Sequence, residues 1–120
     1  MNVNLWIGVG RLTRDPELRH TDAGTAVTEV GLAVNRKFTT AGGVEKTDTC
    51  FVDIVFWARK AELICEHAKK GTALYIRGRL ELDQWKGPDN VKRSRLRVVA
   101  NEFQFVDKPE VKTGPASDEQ

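Results

Sequence analysis

Apolar and polar residues alternate along most of this chain. Over residues 25–35, Ala26, Val30, Leu32 and Val34 share one parity while Thr25, Val27, Glu29 and Gly31 share the other. That period of two predicts a strand with one buried face. Residues 4–12 read as an earlier strand, bent where Gly8 and Gly10 interrupt it. Arg14-Asp15-Pro16-Glu17 ends it, because proline restricts its predecessor and has no N–H for a ladder. Residues 49–57, rich in aromatic and β-branched side chains, form the strongest strand signal. Between these two strands, residues 38–48 hold Thr39-Thr40-Ala41-Gly42-Gly43 and predict a flexible hairpin connection.

The spacing then changes. Ala61, Ile64, Cys65 and Ala68 recur at i, i+3, i+4 and i+7, which predicts a helix over residues 58–70. Lys69 and Lys70 would lie in its last turn and Gly71 just past it, a helix stop. Residues 72–85 form a long strand, 86–90 a turn, and 91–105 the returning strand or strands. From Asp107 onward no aromatic residue occurs, and residues 107–120 are expected to be a short disordered tail. Three strands, a helix and two strands over residues 1–106 is the order of an OB-fold, an all-β, five-stranded Greek-key barrel with one helix between strands three and four. A ferredoxin-like sandwich needs a second helix, and the only stretch free for it carries Pro16 and runs into Gly24.

Alternation assigns the strand faces. In residues 49–57, Val52, Ile54 and Phe56 point one way and Phe51, Asp53, Val55 and Trp57 the other. In the long strand, Leu74, Ile76, Leu80 and Leu82 are expected inward, with Tyr75, Arg77, Arg79, Glu81, Asp83 and Trp85 outward. Beyond the turn, Arg93, Arg95 and Arg97 alternate with Ser94, Leu96 and Val98. Rings set among arginines fit a single-stranded nucleic acid. Unpaired bases stack on them for about 1–3 kcal/mol each without reading sequence, and the phosphates take the cations. Each such ring could equally be packed in a core or between subunits, and alternating arginines could be a solvated edge. Trp6, Phe56, Phe103 and Phe105 are assigned to packing.

Charge adds little. Residues 1–106 hold 17 Lys and Arg against 13 Asp and Glu, and residues 107–120 hold 2 against 4, so a mildly basic body precedes a mildly acidic tail. An anionic partner suits such a field. The apolar runs are far too short to cross a bilayer, which takes about 20 residues. No basic-then-apolar leader precedes the first strand, so neither secretion nor organelle import is expected and the reading is cytoplasmic. Cys50 and Cys65, without a second pair, make no zinc site, and two buried thiols are favoured over a disulfide. His20 and His67 have no nucleophile at a recognisable spacing, and Gly8-Val9-Gly10 is too short for a dinucleotide fingerprint. An enzyme is not expected, and no cofactor or metal is implied.

Residues 10–19, Gly-Arg-Leu-Thr-Arg-Asp-Pro-Glu-Leu-Arg, followed by Leu32-Ala33-Val34-Asn35, resemble the opening of bacterial single-stranded DNA-binding proteins. Leu74-Tyr75-Ile76-Arg77-Gly78-Arg79-Leu80, with Trp85 five residues on, is similar to that family's fourth-strand signature. The resemblance covers about residues 2–106. It implies an OB-fold assembled as a homotetramer, coating single-stranded DNA without sequence choice in replication, recombination and repair. The family's stacking aromatics correspond to Phe38, Phe51, Trp57 and Trp85. Arg59, Lys70, Arg79 and Arg93 are the cations expected to hold phosphates beside them. Three departures stand out. Glu81 and Asp83 lie where the family often carries basic residues, Val52 replaces a common histidine near the subunit interface, and residues 114–120 lack an acidic Ile-Pro-Phe tip that recruits partners. The rival readings are a dimeric primosome component or RNA chaperone on the same barrel, and a structural oligomer whose aromatic face is buried between subunits.

Overall fold

The computed structural model describes residues 1–106, and the expected tail at 107–120 lies outside the described residues. In chain order the elements are β1 (Trp6–Leu12), β2 (Arg19–His20), β3 (Ala26–Thr39), β4 (Glu45–Trp57), α1 (Arg59–His67), β5 (Ala73–Lys86) and β6 (Lys92–Phe105). The strands run β1-β5-β6-β4-β3-β2 in one sheet, and β1 pairs a second time with β3. That second pairing closes the five long strands into a barrel. Every pairing is antiparallel except β4 with β6, where Ile54 and Val55 lie opposite Val98 and Val99. The fold is therefore the expected OB barrel, with the helix between β4 and β5 once the two-residue β2 is counted. Two residues carry no periodicity to read, so β2 is new.

Closure depends on close backbone approach. β1 leaves β5 and reaches β3 at Arg11 and Leu12, and a Cβ on Gly10 would strike the Ala33 carbonyl there. A second tight point lies between β5 and β6. Arg77 pairs with Glu102 but Gly78 with Ala100, a bulge that leaves Asn101 unpaired, and a Cβ on Gly78 would meet the Val99 carbonyl. Such bulges bend and twist a strand more sharply than regular pairing does. They let one continuous β5 serve both the barrel and the hairpin beyond it.

The interior is filled by Leu12, Val30, Leu32, Ile54, Phe56, Ile64, Leu74, Ile76 and Val98. Each large apolar side chain so buried contributes about 1.5–3 kcal/mol. Phe56 meets Phe103 edge-to-face at 5.7 Å between ring centroids, and Phe103 meets Phe105 in the same way, but Phe105, expected to be packed, is exposed at the end of β6. Trp6 packs against the same cluster. α1 sets its buried Ala61 and Ile64 against β3 and β4.

Four expectations need correction. First, the connection expected at 38–48 is mostly strand. β3 and β4 stay paired out to Thr39 and Glu45, held by the Arg36–Asp48 ion pair at 2.8 Å and a Thr49–Asn35 hydrogen bond at 2.8 Å. Second, α1 stops at His67 rather than Lys70. The Asp15 carboxylate accepts the Lys70 N–H at 2.7 Å and the Thr72 hydroxyl oxygen accepts that of Lys69 at 3.0 Å, turning the chain early. Third, Leu80 and Leu82, expected inward, are exposed, as is Leu96 opposite Leu82. Their side of the β5–β6 hairpin continues the core face past the end of the barrel, where none of the described residues forms a second layer. Fourth, Val27 and Gly31 are buried along with the expected face of β3, because residues 13–20 lie across it. Thr13 donates its N–H to the Gly31 carbonyl at 2.9 Å, and Arg19 pairs with Val27.

Cys50 is exposed on the β3–β4 arm and Cys65 is half-buried on α1, both as free thiols, so only one of the two is sheltered. No helix among the described residues is long and apolar enough to cross a membrane.

Candidate nucleic-acid interface

The outward side of the barrel is built from alternate positions of four paired strands. Register places Glu29 beside Val55, Gly31 beside Asp53 and Ala33 beside Phe51. Val55 lies beside Val99. On the hairpin, Arg79 lies opposite Val99, Glu81 opposite Arg97, Asp83 opposite Arg95 and Trp85 opposite Arg93. One continuous surface therefore carries Phe51, Trp57 and Trp85 together with four arginines.

The three rings are open to solvent, with 72% of Phe51, 38% of Trp57 and 44% of Trp85 exposed. Phe51 and Trp57 are six residues apart on one face of β4, or roughly 20 Å of extended strand. Trp85 lies as many residues out along β5 from Arg79, again roughly 20 Å. The β4–α1 corner makes Trp57 prominent. Ala58 takes φ 58° and donates its N–H to the Ala26 carbonyl at 2.7 Å, so the chain leaves the sheet directly after the ring. At the β5–β6 tip, Trp85 joins Gln84, Lys86, Lys92, Arg93 and Ser94 around a cavity of about 290 Å³.

Phe38 is placed differently. β3 and β4 pair without a bulge, so Phe38 falls on the parity of Val34 and Leu32, the opposite side of the ribbon from Phe51. It is half-buried, and the Arg36 guanidinium lies 4.5 Å above its ring. Tyr75, expected among the outward rings, lies elsewhere as well. Its cross-strand neighbours are Val9 and Gln104, on the wall of the barrel formed by β1, β5 and β6.

The expected cations also divide. Arg79 is exposed and has no ion pair among the described residues. Arg59, two residues past Trp57, is held by Glu62 at 3.1 Å, and Arg93 by Asp89 at 2.8 Å. Lys70 is exposed on the turn after α1, its backbone tied to Asp15. Asp15 itself lines a polar groove of about 470 Å³ with Arg14, Glu17, Arg19, Glu29 and Arg95.

Between the rings lies a network that strand-by-strand reading missed. Arg95 reaches Glu29 at 2.8 Å, Asp83 at 3.5 Å and Asp53 at 3.6 Å. Arg97 holds Glu81 at 2.8 Å, Asp83 at 3.7 Å and Glu29 at 3.8 Å. Burial alone would lower the pKa of Arg97. The hydrogen bond to Glu81 and the charges of Asp83, Glu81 and Glu29 together outweigh it, so its pKa is raised and it stays cationic. Beneath these side chains Val55 and Val99 are buried although they point outward. A partial signal existed: Glu81 and Asp83 stand as far before residues 87–91, the stretch between the paired Lys86 and Lys92, as Arg97 and Arg95 stand beyond it.

A surface of exposed rings, spaced along the strands and bordered by guanidiniums, can stack unpaired bases and hold phosphates. The described residues hold no cluster of His, Cys, Asp and Glu suited to a metal ion.

Comparison with known proteins agrees with this geometry. A single-stranded DNA-binding protein of Lactococcus lactis is 42% identical over 105 residues, 88% of this chain and 69% of that one. Proteins of the same name from Wolinella succinogenes and Helicobacter hepaticus are 40% and 38% identical over 104 residues, 87% of this chain. The chain spans only 64% and 61% of the length of those two relatives. Among solved structures, a deletion mutant of the single-stranded DNA binding protein from Thermus aquaticus superposes with a TM-score of 0.78 at 28% identity, covering 89% of this chain and 52% of that one. The Plasmodium falciparum SSB complex with ssDNA shares the fold, with a TM-score of 0.80 at 20% identity over 89% and 97% of the two chains. The model of the single-strand binding protein family matches residues 3–106, and this chain belongs to that family.

Proposed function

We propose that this protein binds single-stranded DNA without sequence choice, coating and protecting it in replication, recombination and repair. The observation that carries this reading is that Phe51, Trp57 and Trp85 stand exposed on one face of the closed barrel. Bases stack on these three rings, with Phe38 as an outlying platform on the other side of the β3–β4 arm. Arg59, Lys70, Arg79 and Arg93 hold the backbone. The names of the relatives, single-stranded DNA-binding proteins, favour the same ligand. The protein acts by binding alone, not as an enzyme, and works in the cytoplasm with the nucleoid.

It does so as a homotetramer. Among the described residues, two of the exposed apolar patches are Ile7 and Val9 on the outer side of β1, and Leu80, Leu82 and Leu96 on the hairpin. Contiguous exposed apolar surface of this kind marks interaction sites. Both patches are separate from the stacking face, so subunits can associate while the rings stay free.

The test is a fluorescence titration with oligo-dT at low salt. Stacking on Trp57 and Trp85 is expected to quench tryptophan emission, with Trp6 as an internal residue that does not respond. An unchanged spectrum overturns the reading. Subunit mass in solution, together with competition by RNA, separates it from a dimeric primosome component or an RNA chaperone.

A further inference from the structure

We propose that the carboxylates of Asp53 and Asp83 are built-in competitors for the DNA backbone, holding Arg95 in the place where a phosphate would otherwise take it. This deepens the single-stranded DNA reading above and rests on it. The patch between the rings contains two guanidiniums, Arg95 and Arg97, and four carboxylates, Glu29, Asp53, Glu81 and Asp83. On its own it is net negative. An approaching polyanion gains from it only if an arginine changes partner.

The two arginines are not equivalent. Arg97 is 17% exposed and grips Glu81 through both Nε and an Nη, so it is fixed. Arg95 is 40% exposed, and two of its three carboxylate contacts are long, at 3.5 and 3.6 Å. The third, Glu29, is only 13% exposed and stays behind as an anchor. Arg95 also lies 5.9 Å from the centroid of the Trp85 ring, shielding a face that a base would use. The polar groove of Arg14, Asp15, Glu17, Arg19 and Glu29 opens onto the same guanidinium, so a phosphate can reach it from solvent. On binding, Arg95 passes from Asp53 and Asp83 to a phosphate, and the two released carboxylates collect cations from solution. That uptake cancels the counterion release an arginine normally contributes, so the salt dependence is shallower than the number of basic residues implies.

The experiment measures oligo-dT affinity by tryptophan quenching across a salt series, for the wild-type protein and Asp53→Asn. Asp53 touches Arg95 alone of the two arginines, which isolates the exchange. The variant is expected to bind about two- to fivefold more tightly at low salt, with a salt slope steeper by about 0.7. Both gains are expected to disappear in an Arg95→Ala background. Asp83→Asn should move in the same direction, and Glu102→Gln, which frees Arg77 on the far wall, should show neither gain. Unchanged or weaker binding by both Asp variants overturns the proposal, since the carboxylates would then only be positioning the arginine. A gain that persists without Arg95 overturns it too, as a general charge effect. Failure of the wild-type protein to bind oligo-dT overturns the binding reading itself, and this proposal with it.

Discussion

Phe56 and Trp57 are consecutive residues of β4 with opposite fates. Phe56 is fully buried, edge-on to Phe103 in the barrel, while Trp57 stands on the outer face with over a third of its surface in solvent. One backbone step reverses the direction of a side chain in a strand. The same aromatic chemistry is therefore divided between packing on the inside and, in the function proposed above, base stacking on the outside. Neither face could be exchanged for the other by a register slip without losing both.

The largest expected effect comes from breaking the inner member of the pair. Phe56→Ala removes a ring that is packed on all sides, and the barrel is too tightly closed at Gly10 and Gly78 to collapse around the gap. A loss of about 3–5 kcal/mol is expected in urea or thermal unfolding. Any DNA bound by the surviving folded fraction should be held with wild-type affinity. A barrel as stable as the wild type would mean that Phe56 is not the keystone its burial implies.

Trp57→Ala tests the outer member. Binding of oligo-dT should weaken by about 1–3 kcal/mol while the unfolding midpoint barely moves. If stability falls with it and affinity does not, the ring belongs to packing and the contrast with Phe56 dissolves. This division was legible in the sequence, because residues 49–57 put large apolar groups on both parities and only one of them can line a core. The helix stripe of Ala61 and Ile64 was legible for the same reason, as was the strand order that names the barrel. Other features were not. The β3–β4 arm carries Arg36, Lys37, Lys46 and Asp48, and its backbone pairing with the Arg36–Asp48 ion pair holds a strand that no apolar alternation announces. Leu80 and Leu82 keep the inward parity but extend past the end of the core, and parity does not record where a layer stops. Tyr75 and Trp85 share a parity on one strand, yet coiling of β5 carries them to different walls. The Arg95 network is invisible along any single strand, since its members come from β3, β4, β5 and β6.

A sharper version of the comparison sets Phe51 against Phe38. Both are carried by the β3–β4 arm, but on opposite sides of it, and Phe38 already has the Arg36 guanidinium over one face. Phe51→Ala should weaken binding by about 1 kcal/mol or more, within the range for a stacking ring. Phe38→Ala should lose less. Equal losses would mean that the strand passes around the edge of the arm and uses both of its sides.

The smallest effect expected is that of a single unpaired cation. Arg79 lies on the outer face opposite Val99, where the hairpin leaves the barrel, and no carboxylate among the described residues neutralises it. Nothing must be broken before it meets a phosphate, unlike Arg93 with Asp89 or Arg59 with Glu62. Arg79→Ala should therefore reduce the slope of log affinity against log salt by about 0.7, the value for one phosphate contact on a single strand. Stability should stay within about 0.5 kcal/mol, as for most exposed positions without a partner. Arg93→Ala gives the matched comparison. Its removal also frees Asp89 beside the path of the DNA, so it should cost affinity through new repulsion as well as through the lost contact. If the two variants have the same slope and the same affinity, pairing in the free protein does not decide which cations serve the backbone. Exposure alone would then be the controlling variable on this face.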